Sequence, residues 1–408
     1  MVVREAELEQ VSAVWAGVDA GKEHHHVAVL DPEGSVVLSR RVANDEPALR
    51  AVIAEVAGLA GRARWAIDLR DGAAALLLAL LAAAGAEIVY VPGRVVHRMT
   101  GAYRGEGKTD AKDARVIADQ ARMRADLAPL VPGEELVTEL RMLTARRADL
   151  VTDRTRAINR LRAGLLEISP ALERALDFTC TGPLILIRGY PTPAAIRQAG
   201  EQQLTAWLRG QHARNAARLA AAAVAAAASQ TVRLPAEDVA AELVTELAGE
   251  VMTLGARIRQ IDLRIQDRFR RHRAAAVITS LPGIGTLLGA EFLVATGGDM
   301  AAFASADHLA GYAGLAPAPR DSGRRTGNLH RPRRYNRQLN RVFYTSALVS
   351  ITCSPQSRAF YDRKRAEGKK HTQAVLALAR RRVNVLWALL RDNRPYMPPA
   401  PAIAAEAA

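Results

Sequence analysis

Four aspartates are the residues of this sequence whose types and positions best suit chemistry on a phosphodiester. Asp19 and Asp68 each follow a short apolar run that is typical of a strand. Asp110 and Asp113 lie three residues apart, a spacing that places both side chains on one face of a helix. Carboxylate oxygens are ligands that Mg²⁺ and Mn²⁺ prefer, so we expect these acids to bind divalent metal ions. Asp71 is the alternative second acid, but Asp68 is preferred because it directly ends its strand.

An arginine-rich segment near the C-terminal end carries a second candidate site. Eight arginines and one acid, Asp321, fall between residues 320 and 341. Arginine can donate two parallel hydrogen bonds to phosphate oxygens, so this segment is expected to contact a nucleic-acid backbone. The arginines expected to do so are Arg320, Arg324, Arg325, Arg331, Arg333, Arg334 and Arg337.

Ser322 lies in a Ser-Gly turn within this cationic segment. A serine hydroxyl in such a field can attack phosphorus and form a covalent link to DNA. Two alternatives stay open. In the first, Ser322 is only a turn residue of a phosphate-binding loop, because no adjacent general base is evident. In the second, Tyr335 is the nucleophile, since Arg334 and Arg337 also flank it.

Other basic and glycine-containing segments extend the expected nucleic-acid interface. Residues 281–285 read Leu-Pro-Gly-Ile-Gly, a turn that resembles a helix-hairpin-helix and whose glycines permit close approach of phosphate. The expected interface residues outside the arginine segment are Lys108, Lys112, Gly283, Gly285, Lys364, Lys369 and Lys370. The run 24–26, three histidines, is interpreted as a polar strand face rather than a metal site, because no second pair of ligands accompanies it.

The bulk composition favours a polyanionic partner. Lys and Arg number 56 against 42 Asp and Glu, a net charge of +14 that favours salt-sensitive binding to nucleic acid. Cys180 and Cys353 are far apart and form no metal-ligand pattern, as expected in a reducing cytoplasm. The apolar stretch 73–84 is too short to span a bilayer, and the N-terminal residues do not form a signal peptide. We therefore expect a cytoplasmic protein with no membrane partner.

Hydrophobic periodicity predicts a fold of class α/β plus α. A strand hairpin, then strands alternating with helices up to residue 124, indicate an α/β layer whose first strands are antiparallel. We expect domains at 12–128, 134–270, with a helical insert at 171–235, and 272–393, followed by a disordered tail at 394–408. Two apolar stripes, 136–168 and 243–265, approach heptad spacing and can pair as an antiparallel hairpin or across subunits.

Several of these motifs, taken together and in order, resemble one protein family. The segment Lys108-Thr109-Asp110-Ala111-Lys112-Asp113-Ala114 and the acid after Trp65-Ala66-Ile67 resemble the N-terminal domain of the DEDD transposases of the IS-one-ten insertion-sequence family. The turn at 281–285, the segment Tyr312-Ala313-Gly314-Leu315-Ala316-Pro317 and Ser322-Gly323 resemble that family's C-terminal transposase domain. The resemblance covers residues 12–175 and 240–393.

The resemblance implies an RNase H-like (RuvC-like) N-terminal domain, a coiled-coil linker and a C-terminal domain with a catalytic serine. Carried over by position, Asp19, Asp68, Asp110 and Asp113 would bind Mg²⁺ or Mn²⁺, and Ser322 would attack the DNA backbone. It also implies recombination of donor and target double-stranded DNA, guided by a noncoding bridge RNA. The family's composite site joins the serine of one subunit to the acids of another, so a dimer or tetramer is expected, in the bacterial cytoplasm at the nucleoid.

Two positions depart from the family pattern, and two other functions compete with this one. Asp68 stands where the family normally has Glu, and residues 333–336 lack the glycine of the family's Lys-x-Gly-Asn segment. A metal-dependent resolvase of the Holliday-junction type would need the acids but no covalent serine intermediate. A non-catalytic nucleic-acid-binding protein would need only the basic surface. Metal titration and trapping of covalent adducts distinguish the three functions.

Overall fold

The computed structural model describes residues 13–69, 72–103, 107, 109–127, 129–130, 134–324 and 326–398. The chain divides into two compact units, with the boundary after residue 133. Helices before and after residues 270–272 contribute to one hydrophobic core. The separation of domains 134–270 and 272–393 therefore stays a prediction. No helix of the described residues is both long and apolar enough to cross a membrane.

The first unit is built on a five-stranded mixed sheet with the strand order β3-β2-β1-β4-β5. The strands are β1 (Val14–Ala20), β2 (His24–Leu30), β3 (Val36–Ala43), β4 (Ala63–Ile67) and β5 (Glu87–Tyr90). Strands β1 to β3 form an antiparallel meander, and β4 is parallel to both β1 and β5. The predicted hairpin of β2 and β3 turns at Asp31, whose Oδ1 accepts a hydrogen bond from the Ser35 N–H at 2.7 Å.

Helices cover both faces of this sheet. They are α1 (Glu46–Leu59), α2 (Ala75–Ala83), α3 (Gly93–Thr100) and α4 (Asp110–Met123). Because successive side chains of a strand point to opposite faces, Trp65 and Ile67 pack with the buried residues of α1 and α2, and Ala66 packs with those of α3 and α4. This three-layer α/β arrangement fits the expected RNase H-like domain.

The second unit is almost entirely helical. Its helices are α5 (Glu135–Ile168), α6 (Pro170–Ala175), α7 (Thr181–Gly189), α8 (Pro193–Gly210), α9 (Ala216–Ala228), α10 (Glu237–Arg270), α11 (Ala275–Ser280), α12 (Thr286–Thr296), α13 (Ala306–Tyr312), α14 (Arg337–Cys353), α15 (Pro355–Ala366) and α16 (His371–Arg391). Two short strands, β6 (Ala318–Pro319) and β7 (Leu329–His330), form a hairpin between α13 and α14.

Helices α5 and α10 pack against each other within the chain. Arg147 pairs with Asp262 at 2.5 Å, and Glu139 pairs with Arg268 at 2.8 Å. The residue later in α5, Arg147, pairs with the residue earlier in α10, Asp262. The two helices are therefore antiparallel. The predicted stripes therefore pair as a hairpin, whereas pairing across subunits stays a prediction. Leu243, predicted to begin the second stripe, is 54% exposed, and the buried face carries small residues such as Ala241 and Ala248 instead.

The last third of the chain consists of short helices that end in an ordered segment. Helix α13 begins after Ser305, whose Oγ accepts a hydrogen bond from the His308 N–H at 3.1 Å. Three helices, α14 to α16, follow the arginine-rich segment. Tyr396, in the tail expected to be disordered, donates its backbone N–H to Ser280 Oγ at 2.8 Å. Residues 399–408 lie outside the described residues.

Candidate active site

Asp19 and Asp68 lie at the carboxyl ends of two neighbouring parallel strands. Val18 of β1 is in register with Ile67 of β4, so the two acids occupy equivalent positions one residue further along. Strand alternation places Asp19 on the same face as Gly17, which is the face that α4 covers. The pattern of apolar residues thus delivers two carboxylates to one edge of the sheet.

Helix α4 brings the other two acids to that edge because it touches β1 directly. A Cβ atom on Gly17 would lie 2.2 Å from the carbonyl oxygen of Ala114 and 2.3 Å from the amide nitrogen of Ala118, so only glycine permits this approach. Thr109 caps the helix by accepting a hydrogen bond from the Lys112 N–H at 3.2 Å. Asp110 and Asp113 therefore both fall in the first turn of α4.

All four predicted acids line one cleft of about 750 Å³ in the first unit. The turn at Gly21 and the inner side of α3 complete its walls. Its titratable and polar lining residues are Asp19, Asp68, Asp110, Asp113, His24, His97, Thr100 and Lys112. Asp71 and Lys108, two of the positions singled out in the sequence, lie outside the described residues.

The electrostatics of the cleft suit a cation. Burial raises the pKa of Asp68, and the nearby Asp113 carboxylate raises it as well, against backbone hydrogen bonds that lower it. Oδ1 of Asp68 is buried and has no hydrogen-bond partner among the described residues. A divalent cation at this point would supply the missing partner and offset the repulsion between the two carboxylates. The residues present therefore fit a metal ion.

The acids share the cleft without forming a closed metal cage. Within the described part of the chain, no group of three or more His, Cys, Asp and Glu side chains is arranged to hold an ion. Mg²⁺ commonly uses only one or two carboxylates and takes further oxygens from water and from substrate phosphates. The cleft is thus suited to a metal that binds together with a phosphodiester rather than to a permanent structural ion.

Thr100 is a functional candidate that sequence reasoning missed. Its hydroxyl lies 2.7 Å from the Val96 carbonyl oxygen and 3.0 Å from Asp113 Oδ1, and it can orient that carboxylate by donating its proton to Oδ1. His97 lines the same cleft from the same helix. The signal in the sequence is the spacing of His97 and Thr100 on one face of a short helix, but the side to which that face points is decided by tertiary packing.

The three adjacent histidines divide between two environments. His24 lines the cleft, and its Nδ1 lies 3.1 Å from an Nη atom of Arg41. His26 Nε2 is 3.0 Å from Ser39 Oγ, and burial lowers the pKa of His26 while the Asp110 carboxylate opposes that shift. These contacts agree with the interpretation of a polar strand face.

Ser322 lies at the surface of the second unit, in the loop that joins β6 to β7. The loop is fixed by a hydrogen bond from the Arg320 N–H to the Asn328 carbonyl and by one from the Asn328 N–H to Asp321 Oδ1, both 2.9 Å long. The Ser322 side chain is exposed and has no hydrogen-bond partner among the described residues. The hydroxyl is accessible to a large substrate, but among the described residues no hydrogen bond links it to a base.

The arginines around Ser322 present an open cationic surface. Arg325 lies outside the described residues, and the other six predicted phosphate contacts are exposed, without an ion pair to any described residue. They are Arg320, Arg324, Arg331, Arg333, Arg334 and Arg337. The rival nucleophile Tyr335 is half-buried, because its ring packs against the backbone of Gly314. The Ser322 side chain is thus more exposed than that of Tyr335.

The other predicted interface residues are more constrained than the sequence indicates. Gly283 has a φ of +84°, and a Cβ atom there would lie 2.6 Å from the Ser346 carbonyl oxygen, so its glycine is required by internal packing. Gly285 has open space around it. Lys364 and Lys369 both pair with Glu367, at 2.8 Å and 3.4 Å. The side chain of Lys370 is exposed.

Comparison with known proteins agrees with the motif-based resemblance. Residues 16–170 match the family model of the IS110-type DEDD transposases, and residues 275–362 match the Transposase IS116/IS110/IS902 family. The chain is 60% identical over 391 residues to the 42 kDa protein of insertion element IS900 of Mycobacterium paratuberculosis, covering 94% of this chain and 97% of that protein. It is 53% identical over 389 residues to the 44.8 kDa protein of IS116 of Streptomyces clavuligerus, covering 95% and 97%. Identity to the 43.6 kDa protein of IS110 of Streptomyces coelicolor is 40% over 392 residues, covering 95% and 96%.

A mixed sheet with acids at the ends of its central strands, joined to a basic helical unit, defines a protein of the DEDD type that acts on DNA. The chain belongs to the IS110 (IS-one-ten) family of insertion-sequence transposases. The prediction of an insertion-sequence transposase is thereby confirmed.

Proposed function

We propose that this transposase cuts and rejoins double-stranded DNA through Ser322, with Mg²⁺ or Mn²⁺ held by the acidic cleft. The proposal rests on one observation above all: Asp19, Asp68, Asp110 and Asp113, separated by up to 94 positions in the sequence, line a single cleft. When bound there, the metal would polarise phosphate oxygens and stabilise the charge that develops on them.

The chemistry assigned to Ser322 is two successive transesterifications. Its Oγ forms a bond to phosphorus while the bond from phosphorus to one strand oxygen breaks, which leaves a phosphoserine link and a free strand hydroxyl. The hydroxyl of the other DNA partner then attacks the phosphoserine and restores Ser322. One phosphodiester replaces another in each exchange, so no external energy source is needed. Arg324 and Arg337 would stabilise the negative charge of both transition states.

The exposed serine favours a composite site between subunits. The Ser322 hydroxyl is exposed and makes no hydrogen bond to a described residue, so we propose that the acceptor of its proton comes from elsewhere. The carboxylates of another subunit's cleft would supply one, which agrees with the dimer or tetramer that the family resemblance implies. We therefore propose an oligomer acting in the cytoplasm at the nucleoid.

Guidance by a noncoding RNA is the remaining part of the proposal. The net charge of +14 and the exposed arginines support binding of nucleic acid in general, RNA as well as DNA. The RNA would be read from the element beside the gene and would pair with donor and target DNA, as the family resemblance implies. A structured noncoding segment beside the gene, with loops complementary to both DNA partners, would support this part independently of the protein chemistry.

The test of the serine mechanism uses a plasmid that carries both ends of the element with its flanking noncoding segment. In Ser322→Ala we expect DNA binding to persist, while excision and covalent protein–DNA adducts disappear. The matched control is Thr326→Val, which removes a hydroxyl from the same exposed loop. Strand exchange that continues in Ser322→Ala would exclude the serine from the mechanism.

The test of the acidic cleft compares Asp19→Asn with Glu23→Gln. Both changes remove one carboxylate charge, but Glu23 is exposed and does not line the cleft. We expect Mg²⁺-dependent strand cleavage to be lost only in Asp19→Asn. Nicked DNA without any adduct in the wild type would instead favour a metal-only resolvase, and the absence of Mg²⁺-dependent activity on every substrate would favour a non-catalytic binding protein.

A further inference from the structure

A small cavity in the second unit lies where the Pro-Gly-Ile-Gly turn, α15 and α16 meet. Its volume is about 180 Å³, enough for one small oxyanion. Its polar and charged walls come from Ser354, Gln356, Ser357, Arg381, Arg382 and Tyr396. Two arginines line this space and no acid does, so its electrostatic preference is for an anion.

Arg382 is a buried cation without a buried counter-charge. It is 4% exposed, and no carboxylate of the described residues pairs with it. Its Nε donates to Ser346 Oγ at 2.9 Å, and one Nη donates to the Pro282 carbonyl oxygen. The other Nη has no hydrogen-bond partner among the described residues. Burial lowers the pKa of Arg382 to about 10, so the side chain is still charged at neutral pH.

Ser357 gives the cavity a hydroxyl that makes no hydrogen bond to a described residue. The residue is 9% exposed, and its backbone N–H donates to Ser354 Oγ at 3.3 Å. It lies in the first turn of α15, whose N-terminal end carries a partial positive charge. Pro355 has no backbone N–H, and that of Ser357 already donates to Ser354. The free backbone donor at this helix end is therefore the N–H of Gln356. The hydroxyl of Ser357 is the more specific donor.

Arg381 forms the outer wall of the cavity. Its Cζ lies 5.2 Å from the centre of the Phe360 ring, and it makes no ion pair with a described residue. Arg363 contacts the same ring at the same distance but does not line the cavity. Arg381 and Arg363 thus carry the same charge and contact the same ring, but only Arg381 lines the cavity.

We propose that this cavity binds a single phosphate group, contacted by Arg381, Arg382 and Ser357. A guanidinium offers paired donors that match phosphate oxygens, and a serine hydroxyl adds a further hydrogen bond. The phosphate comes either from a nucleic-acid backbone or from free phosphate ion. Only the nucleic-acid source rests on the proposed function, whereas the phosphate site itself does not.

The experiment measures thermal unfolding of the full chain in inorganic phosphate against chloride at equal ionic strength. A ligand that binds the folded state raises the unfolding temperature in a concentration-dependent way, from which Kd follows. We expect the Kd for phosphate to rise by about tenfold or more in Arg381→Gln and in Ser357→Ala, since each loses a charge-assisted hydrogen bond. Arg363→Gln is the matched control, and its Kd should equal that of the wild type.

Differences between variants are the readout because phosphate also stabilises proteins through its exclusion from their surface. Equal stabilisation of all four proteins, or no stabilisation of the wild type, overturns the proposal. A mixed-sequence DNA duplex then identifies the source. If the effects of phosphate and duplex on the wild type are not additive, a backbone phosphate occupies the cavity. If they are additive, the site takes free phosphate.

Discussion

The direct contact between β1 and α4 predicts that Gly17→Ala separates the acids of the cleft. The new Cβ atom would lie 2.2 Å from a backbone oxygen of α4, well under the 3.0 Å that real Cβ contacts respect. The obstructing atoms belong to the helix backbone and cannot rotate away, so α4 must shift by about 0.8 Å or more. Overpacking of this kind costs about 1–3 kcal/mol of stability.

Gly58→Ala is the matched control for this change. Gly58 lies near the end of α1, and an added Cβ atom there has open space around it. Alanine is the better helix former, so we expect a gain of up to about 1 kcal/mol. The two substitutions are chemically identical, yet their effects on stability should have opposite signs.

Hydrogen exchange of the α4 amides measures the stability change within the first unit, and Mg²⁺-dependent strand cleavage measures the effect on the site. Because misplacement of reacting groups by about 1 Å can reduce a rate by roughly 100-fold, we expect a large loss of cleavage in Gly17→Ala. If Gly17→Ala exchanges and cleaves like the wild type, the close packing of α4 on β1 does not position the acids.

Two further predictions concern single side chains of the first unit. Thr100→Val removes the hydroxyl beside Asp113 at almost constant volume. Loss of a hydrogen bond to a metal ligand should weaken Mg²⁺ affinity by about 10–100-fold, as measured by titration calorimetry. Thr152→Val, at an exposed position of α5, should leave that affinity unchanged. His25 is 1% exposed, and burial lowers its pKa from the ordinary 6.5. The unfolded chain therefore binds a proton that the folded chain does not, so unfolding free energy falls as pH drops through 6.5, by up to about 1.4 kcal/mol per pH unit. Denaturant unfolding between pH 7.5 and pH 5 should give a shallower dependence in His25→Gln; an unchanged slope would exclude His25 as its source.

The grouping of the acids into two pairs was predictable, because the periodicity of a strand or helix fixes the face on which each side chain lies. Alternation along β1 and β4 places Asp19 and Asp68 on one face, and the spacing of three does the same for Asp110 and Asp113. Which face of the sheet α4 covers is not encoded in those patterns. It depends on Gly17, whose missing side chain is informative only once its neighbour is known.

The helical unit was harder to predict for a different physical reason. The large side chain of Leu243 suggested a buried position, but α10 buries Ala241, Val244 and Ala248 against its neighbours. Small residues allow helix backbones to approach closely, so the size of an apolar side chain is a poor guide to the contact face of this part of α10. The sequence also could not distinguish a hairpin within one chain from pairing across subunits, because each arrangement buries the same apolar stripe of each helix.

The paired helices α5 and α10 set a long, fixed distance within the second unit. Each has 34 residues, which corresponds to a length of about 50 Å at 1.5 Å per residue. The helices α6 to α9 follow one end of this pair, and α11 to α16 follow the other. Such a span matches about 15 base pairs of duplex at 3.4 Å each. For a DNA duplex that is contacted at both ends of this helix pair, insertion of one heptad into both helices is expected to lengthen the protected footprint by about three base pairs.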